Sequence, residues 1–464
     1  MNSTAFSSVK LHSSLLENLS TLGYDSMTAI QAESLPRILD GKDVIAQAKT
    51  GSGKTAAFGL GLLENLNVKK FRVQSLVLCP TRELADQVAK EIRKLGRSIH
   101  NIKVLTLCGG APFGPQIGSL EHGAHIIVGT PGRVEEHLRK GTLVLDDLAA
   151  FVLDEADRML DMGFQPSLDA IVECLPVKRQ TLLFSATFPD QIQTIADRIM
   201  NQPEMVKVTS SHSNNTIQQH LFEVGNEIDR LTAVRLLLLK YRPESAVVFC
   251  KTKRETQDVA DELSNYGFYT LALHGDLEQR DRDQTLVRFA NKSTSVLVAT
   301  DVAARGLDID ALDAVINYHL AHDPEVHVHR IGRTGRAGSK GIACTLFEKN
   351  ESNRIEALEE YLGYSINIKS LPATNLLEKE PYKSPMATLL IDGGKKQKVR
   401  PGDILGALTG DNGIAGKISG AEVGKIHIFD NRAYVAVSRD VSKSALKKLT
   451  EGKLKGRSFR VRRI

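Results

Sequence analysis

The stretch Ala48-Lys49-Thr50-Gly51-Ser52-Gly53-Lys54-Thr55 decides how the chain is read. A short apolar run, Val44-Ile45-Ala46, enters it, and a mostly small or apolar segment from Ala56 to Leu66 leaves it with helical character. A strand that feeds a glycine-containing turn into a helix N-terminus gathers unpaired backbone N–H groups, and the helix dipole adds partial positive charge. Such a turn traps phosphate. Thr50, Gly51, Ser52 and Gly53 form the cradle, Lys54 can reach terminal phosphates, and Thr55 can set its hydroxyl on a magnesium ion. Ala48 fills the slot where the usual pattern opens with glycine. The competing reading is a chance Gly/Ser turn ahead of a helix, and the rest of the chain argues against it.

Outward from this loop, between Asp43 and Val208, apolar runs of strand length alternate with helical segments. The runs are Ser75 to Cys79, Lys103 to Leu107, His125 to Val128, Phe151 to Leu153 and Thr181 to Phe184. Leu84, Val88, Ile92 and Leu95 recur at helical spacing between two of them. Buried runs alternating with helices predict a parallel sheet covered on both faces, with ligands at the carboxyl ends of its strands. The pattern restarts with Ala246 to Cys250, Thr270 to Leu273, Ser295 to Ala299, Ala314 to Asn317 and Ile342 to Phe347. Val77-Leu78-Cys79-Pro80-Thr81-Arg82-Glu83 is faintly echoed by Val248-Phe249-Cys250-Lys251-Thr252-Lys253-Arg254-Glu255, so two similar α/β lobes are expected. Ser210 to Thr216 reads as a hinge, giving lobes over 1–210 and 211–364, and the proline-containing 365–385 reads as a linker.

The last module, 386–464, reads strand, helix, strand, strand, helix, strand. Its predicted strands are Ala387 to Ile391, Lys425 to Phe429, Ala433 to Val437 and Ser458 to Val461, and its helices Pro401 to Leu408 and Val441 to Leu449. That order suggests a four-stranded α+β sheet of the RNA-recognition (RRM-like) type. Charge agrees. From Met386 to Ile464 there are 17 Lys/Arg against 7 Asp/Glu, leaving 43 basic and 48 acidic residues in the first 385. A basic module on a mildly acidic body suggests a polyanion, most simply nucleic acid, against the alternative of a solubilising tail. No run of 18 apolar residues occurs and Met1 to Lys10 has no leader pattern, so no membrane or secretion is expected. Cys79, Cys108, Cys174, Cys250 and Cys344 never pair as C-x-x-C and read as buried small apolar residues in a reducing cytoplasm.

Asp154-Glu155-Ala156-Asp157 closes the apolar run Ala149 to Leu153. An acidic pair at the end of a buried strand, beside a phosphate loop, suits magnesium and an attacking water. Asp154 is expected to serve the metal, and Glu155 to orient or deprotonate the water.

Here the chain resembles the DEAD-box RNA helicases, from Phe6 to about Phe347. The resemblance implies two RecA-like parallel-sheet lobes in tandem, ATP and Mg2+ as cofactors, and RNA as partner. Phe6, with Gly23-Tyr24 and Thr28-Ala29-Ile30-Gln31, resembles the adenine-reading segment, in which Gln31 grips the base edge while Phe6 and Tyr24 pack nearby. Pro80-Thr81-Arg82-Glu83-Leu84, Gly109-Gly110 and Thr130-Pro131-Gly132-Arg133 resemble the RNA-backbone contacts, with Arg82 and Arg133 supplying charge, the glycines, Gly110 among them, allowing close approach, and Thr130 counted among the contacts. Ser185-Ala186-Thr187 is implied to couple nucleotide to RNA through Asp157. In the second lobe, Ala299-Thr300-Asp301-Val302-Ala303-Ala304-Arg305-Gly306-Leu307-Asp308 and His329-Arg330-Ile331-Gly332-Arg333-Thr334-Gly335-Arg336 match the later motifs, joined by His274-Gly275, Gln279 and Arg282. Arg333 and Arg336 are the expected arginine fingers, Asp308 and Asp301 meet the ribose and interlobe contacts, Thr300, Arg254 and Lys251 contact RNA, and His329 joins the coupling set.

ATP and single-stranded RNA are each expected to favour a closed state of the lobes, so each tightens the other. The tail resembles the carboxyl module of DbpA-type bacterial helicases through Gly393-Gly394-Lys395-Lys396 and Val399-Arg400-Pro401-Gly402-Asp403-Ile404-Leu405-Gly406-Ala407-Leu408. That implies a hairpin of 23S ribosomal RNA and a precursor of the large ribosomal subunit, reached by a cytoplasmic monomer through Lys395, Lys396 and Arg400. Arg432, Tyr434 and Val437 fit the usual RNA-recognition strand, but Ala436 and Arg439 stand where aromatics stack bases. An RNA-binding clamp or chaperone that needs no unwinding remains the alternative reading.

Overall fold

Three sheets organise the chain in a computed structural model that describes residues 4–48, 51–188, 190–208, 217–225, 228–304, 312–335, 341–410 and 416–464. The first contains β1 (Val44–Gln47), β2 (Ser75–Leu78), β3 (Val104–Leu107), β4 (Ile126–Gly129), β5 (Ala150–Asp154), β6 (Gln180–Ser185) and β7 (Glu204–Lys207). These run in the order β3-β4-β2-β5-β6-β1-β7, all neighbours parallel. Val152 points into one buried cluster with Val77 and Phe184, while Phe151 and Leu153 point into another with Leu76 and Leu183. Both faces are therefore dry, as the continuous apolar runs require. The helix Arg82–Leu95 starts where Thr81 accepts the Leu84 N–H at 3.2 Å, and it buries Leu84, Val88, Ile92 and Leu95.

The second sheet is a parallel array of the same kind. Its strands are β8 (Ile217–Val224), β9 (Ala246–Cys250), β10 (Thr270–Leu273), β11 (Val296–Thr300), β12 (Ala314–Asn317), β13 (Gly341–Glu348) and β14 (Asn367–Lys369), in the order β10-β11-β9-β12-β13-β8-β14. The stretch read as a linker contributes β14, and Leu371, Leu376 and Leu377 pack on the core of this lobe.

The third sheet is antiparallel: β15 (Met386–Ile391), β16 (Val423–Ile428), β17 (Ala433–Ser438) and β18 (Val461–Arg463), in the order β16-β17-β15-β18. The final strand starts three residues later and ends two residues later than the predicted Ser458 to Val461. Ala387, Leu389, Ile391, Ala433, Val435 and Val437 cover the helices Pro401–Thr409 and Ser442–Glu451 through Ile404, Leu408, Ala445 and Leu449.

The opposite face of this small sheet is buried as well. Leu390 and Tyr434 pack with Val287 of the helix Gln279–Ala290 in the second lobe. Beside them, Thr388 Oγ1 accepts a hydrogen bond from Asn291 Nδ2 at 3.2 Å and lies 2.8 Å from Ser293 Oγ. Arg439 donates to Ser384 O at 2.7 Å and stands 4.6 Å from the centre of the Tyr269 ring. The face that stacks bases in RNA-recognition sheets is thus an intramolecular interface here.

No helix among the described residues is long and apolar enough to cross a membrane. Cys79, Cys250 and Cys344 are buried as expected, whereas Cys174 is exposed and Cys108 only half-buried. All five are free thiols.

Candidate nucleotide and RNA sites

The phosphate loop leaves β1 and enters the helix Lys54–Glu64 through Gly51 and Gly53, at φ 82° and 92°. Those left-handed values suit glycine. Gly53 is doubly constrained, because a Cβ there would sit 2.4 Å from Gln31 Nε2. Gln31 is 2% exposed: its Oε1 accepts the Thr28 N–H at 2.9 Å, and its Nε2 donates to Gly53 O at 3.0 Å. Thr28 Oγ1 donates to Ser52 O at 2.8 Å. The segment read as adenine-facing therefore straps the loop from behind. Phe6 is buried and meets Tyr24 edge-on, with ring centres 6.2 Å apart. Ala48 is buried, donates its N–H to Ser185 O at 3.0 Å, and accepts Lys54 Nζ on its carbonyl at 3.0 Å. Thr55 is half-buried on the first turn of the helix. Thr50 lies outside the described residues.

The acidic cluster sits at the carboxyl end of β5. Burial pushes the Asp154 carboxyl up to about 7, against the pull of the Lys54 charge. Its Oδ1 is buried without a hydrogen-bond partner. An orphaned carboxylate oxygen beside a phosphate loop fits a magnesium ion. Among the described residues no three acidic, histidine or cysteine side chains converge as a metal cage, so such an ion would depend on nucleotide oxygens and water as well.

Glu155 occupies the turn after β5 at φ 56°, ψ 51°, and its Oε2 accepts from Arg158 Nη1 at 2.8 Å. Asp157 is buried, which would raise its carboxyl. Arg158 and the Thr187 hydrogen bonds outweigh that and hold it below the usual carboxylate value. Asp157 Oδ2 accepts both the N–H and the hydroxyl of Thr187 at 3.0 Å, while the Asp157 N–H donates to Ser185 Oγ at 3.3 Å. The structure brings these three predicted coupling residues together.

The lobe-one RNA candidates surround the loop Gly109–Ala111. Gly110 has φ +77°, and a Cβ there would fall 1.6 Å from Arg82 Nη1, so the guanidinium fills the space that a side chain would need. Arg133 donates to Ala111 O at 3.0 Å and to Gln116 Oε1 at 2.8 Å, leaving its side chain 11% exposed. Thr130 is buried and opens the helix Pro131–Arg139. Both arginines shape the loop. Sequence reading missed their supporting frame, in which Gln116 also binds His137 and Phe113 stacks on the His137 ring at 4.1 Å.

In the second lobe Thr300 ends β11 and caps the short helix Asp301–Ala304 through the Ala303 N–H at 3.4 Å. Asp301, expected at a ribose or interlobe contact, pairs with Arg330 of its own lobe by two bonds of 2.6 and 2.7 Å. Arg330 also reaches His319 O at 3.1 Å. Arg282 Nη2 donates to Ala303 O at 2.9 Å, tying the helix Gln279–Ala290 to the same segment. Arg254 is almost fully exposed, Arg333 is 7% exposed, and His329 is half-buried on the helix Pro324–Ile331. Asp308 and Arg336 lie outside the described residues. In the last module Lys395, Lys396 and Arg400 are exposed along one loop that ends where Asp403 accepts the Arg400 N–H at 2.8 Å.

Comparison with known proteins agrees with this geometry. Residues 28–195 match the DEAD/DEAH box helicase family, 228–338 the helicase conserved C-terminal domain, and 388–463 the DbpA RNA binding domain. The chain is 53% identical to the ATP-dependent RNA helicase DbpA of Escherichia coli (strain K12), over 99% of both chains. It is 36% identical to the protein of that name from Bacillus subtilis (strain 168), over 98% of both. Among solved structures, that of S. cerevisiae Dbp5 bound to RNA and ADP BeF3 superposes with a TM-score of 0.71 at 33% identity, covering 80% of this chain and 96% of that one.

Proposed function

Because the chain belongs to the DEAD-box helicases and is an ATP-dependent RNA helicase, we propose that each round of ATP hydrolysis locally separates an RNA duplex in a precursor of the large ribosomal subunit. The observation that carries this reading is the gathering of Lys54, Asp154, Glu155 and Asp157 at the carboxyl ends of β1 and β5, where their charges act on one another. Lys54 and the N–H groups from Gly51 to Thr55 hold the phosphates. Thr55 and Asp154 would hold a magnesium ion, which would supply positive charge against the phosphates. Glu155 orients the attacking water, and Arg333 and Arg336 face the charge that develops on the transferring group. Gln31, Phe6 and Tyr24 read the adenine, with Asp308 on the ribose. Asp157, Ser185, Thr187 and His329 pass the nucleotide state to the RNA contacts at Arg82, Gly110, Thr130, Arg133, Arg254 and Thr300. By linkage, ATP and single-stranded RNA raise each other's affinity.

The C-terminal module addresses the enzyme to a 23S rRNA hairpin in the cytoplasm, where it works as a monomer. Support comes from the match to the DbpA RNA binding domain and from the exposed Lys395, Lys396 and Arg400. With Tyr434 buried against the second lobe, recognition falls to cationic loops and RNA shape rather than base stacking. The test compares ATP turnover by the full chain with that of a Lys395→Glu/Lys396→Glu/Arg400→Glu variant, each with ribosomal and unrelated RNA. The reading expects the variant to lose its preference for ribosomal RNA while keeping turnover on unrelated RNA. An unchanged preference contradicts the address.

A further inference from the structure

Arg158 lies outside every role assigned so far, yet it is among the most enclosed cations of the first lobe. Its side chain is 4% exposed, and Nη1 lies 2.8 Å from Oε2 of Glu155, itself 5% exposed. The backbone N–H of Arg158 also donates to the Glu155 carbonyl at 3.0 Å. Arg158 therefore holds Glu155 at both ends, main chain and side chain. The residue so held sits in the left-handed region, φ 56° and ψ 51°, which L-residues other than asparagine and aspartate seldom adopt. Glu155 stands immediately before the helix Ala156–Asp161, and Arg158 lies on that helix's first turn, close enough for the side chains to meet.

The electrostatics explain why the partner is an arginine. Asp154, Glu155 and Asp157 are three buried carboxyls within four positions, and the charges of Lys54 and Arg158 act on Asp154 and Asp157. Lys54 Nζ is directed to Ala48 O. Arg158 is in direct contact with Glu155. A guanidinium stays charged when enclosed, and its planar fork fixes the direction of the carboxylate as well as its charge. A free glutamate side chain would spread over several rotamers, whereas one tied at Oε2 presents Oε1 in a set direction.

We propose that Arg158 is a positioning residue for ATP hydrolysis, holding the Glu155 carboxylate in the orientation from which it aligns the attacking water. This rests on the reading of Glu155 given above. A purely structural arginine would lower stability and nucleotide binding together. A positioning arginine acts on kcat and leaves nucleotide affinity in place.

The test uses the full chain at saturating RNA and measures ATP turnover, affinity for a fluorescent ADP analogue and the thermal midpoint. The variants are Arg158→Gln, Arg158→Lys, Glu155→Gln and the double Glu155→Gln/Arg158→Gln. Arg158→Gln is expected to lower kcat about 30-fold or more, with KM for ATP and ADP-analogue affinity within about threefold. Arg158→Lys should recover part of that loss. The double variant should turn over no more slowly than Glu155→Gln and melt above Arg158→Gln, because both buried charges are removed together. An Arg158→Gln kcat within about twofold of wild type, or kcat and affinity collapsing together, overturns the proposal. Should Arg158→Gln not fold, Arg158→Lys decides: a kcat about fivefold down at unchanged affinity supports it, and a wild-type kcat overturns it. Wild-type turnover by Glu155→Gln would instead remove the water-orienting reading of Glu155, and this proposal with it.

Discussion

The hydroxyl of Thr388 lies 2.8 Å from that of Ser293, joining the central strand of the C-terminal sheet to the second lobe. Around that contact Val287, Leu390 and Tyr434 exclude water. The helix bearing Val287 carries Arg282 at its other end, bonded to Ala303 beside the Thr300-Asp301 segment. The RNA-addressing module is thus packed on an element that also holds a helicase motif.

A charge forced into this interface should open it. Thr388→Arg and Leu390→Asp are expected to speed tryptic cleavage near Lys379 and Lys383 by about tenfold or more, because cleavage follows the open population. Cleavage at the wild-type rate would mean that the interface contributes little to holding the module.

Gly110→Ala tests the loop contact on lobe one. The added Cβ meets Arg82 Nη1 at 1.6 Å and must adopt φ +77°, so the guanidinium has to leave the loop. The expected cost is about 1–2 kcal/mol of stability. The RNA concentration for half-maximal ATP turnover should rise about tenfold at unchanged ADP affinity. An unchanged RNA requirement would separate this loop from RNA binding.

His327 sets an acid limit. It is 2% exposed, its Nε2 faces Gln219 Oε1 at 3.4 Å, and burial with the nearby Arg330 lowers its pKa from the usual 6.5 to about 4. The folded state therefore binds the proton less readily than the unfolded chain. Stability is intact above pH 6.5 and falls as the pH drops toward 4. The loss amounts to about 2–3 kcal/mol. His327→Gln should flatten this part of the curve in urea melts at pH 7 and pH 4.5. Parallel wild-type and variant curves would contradict the assignment.

Much of this architecture was legible because buried parallel strands announce themselves as apolar runs: Ala246 to Cys250 and Ala314 to Asn317 begin and end where expected. Strands with a polar side were harder to see. β7 carries Glu204 and Lys207 at a sheet edge, β8 opens with Gln218-Gln219-His220, and Arg462 and Arg463 hide β18. The phosphate loop and acidic cluster were readable because their chemistry requires fixed residue types at fixed spacing. The partners that hold them were not. Gln116 and Arg330 act across folded space, and Arg158, though only three residues from Glu155, is a buried arginine that looks like any surface arginine in a sequence. The docked face was legible only in part, since the apolar run Leu389-Leu390-Ile391 announces a strand buried on both faces without saying what covers the second.

Strand separation by the full chain, wild type against Lys54→Ala, tests the central claim most directly. Lys54 is 5% exposed, points its ammonium at the phosphate loop and lends its charge to Asp154. With a short RNA duplex extended from a ribosomal hairpin, the substitution should lower ATP turnover about 100-fold or more and slow duplex separation in the same proportion. Wild-type rates of separation after turnover has gone would show that the chain remodels RNA by binding alone, and the ATP-driven account would be wrong.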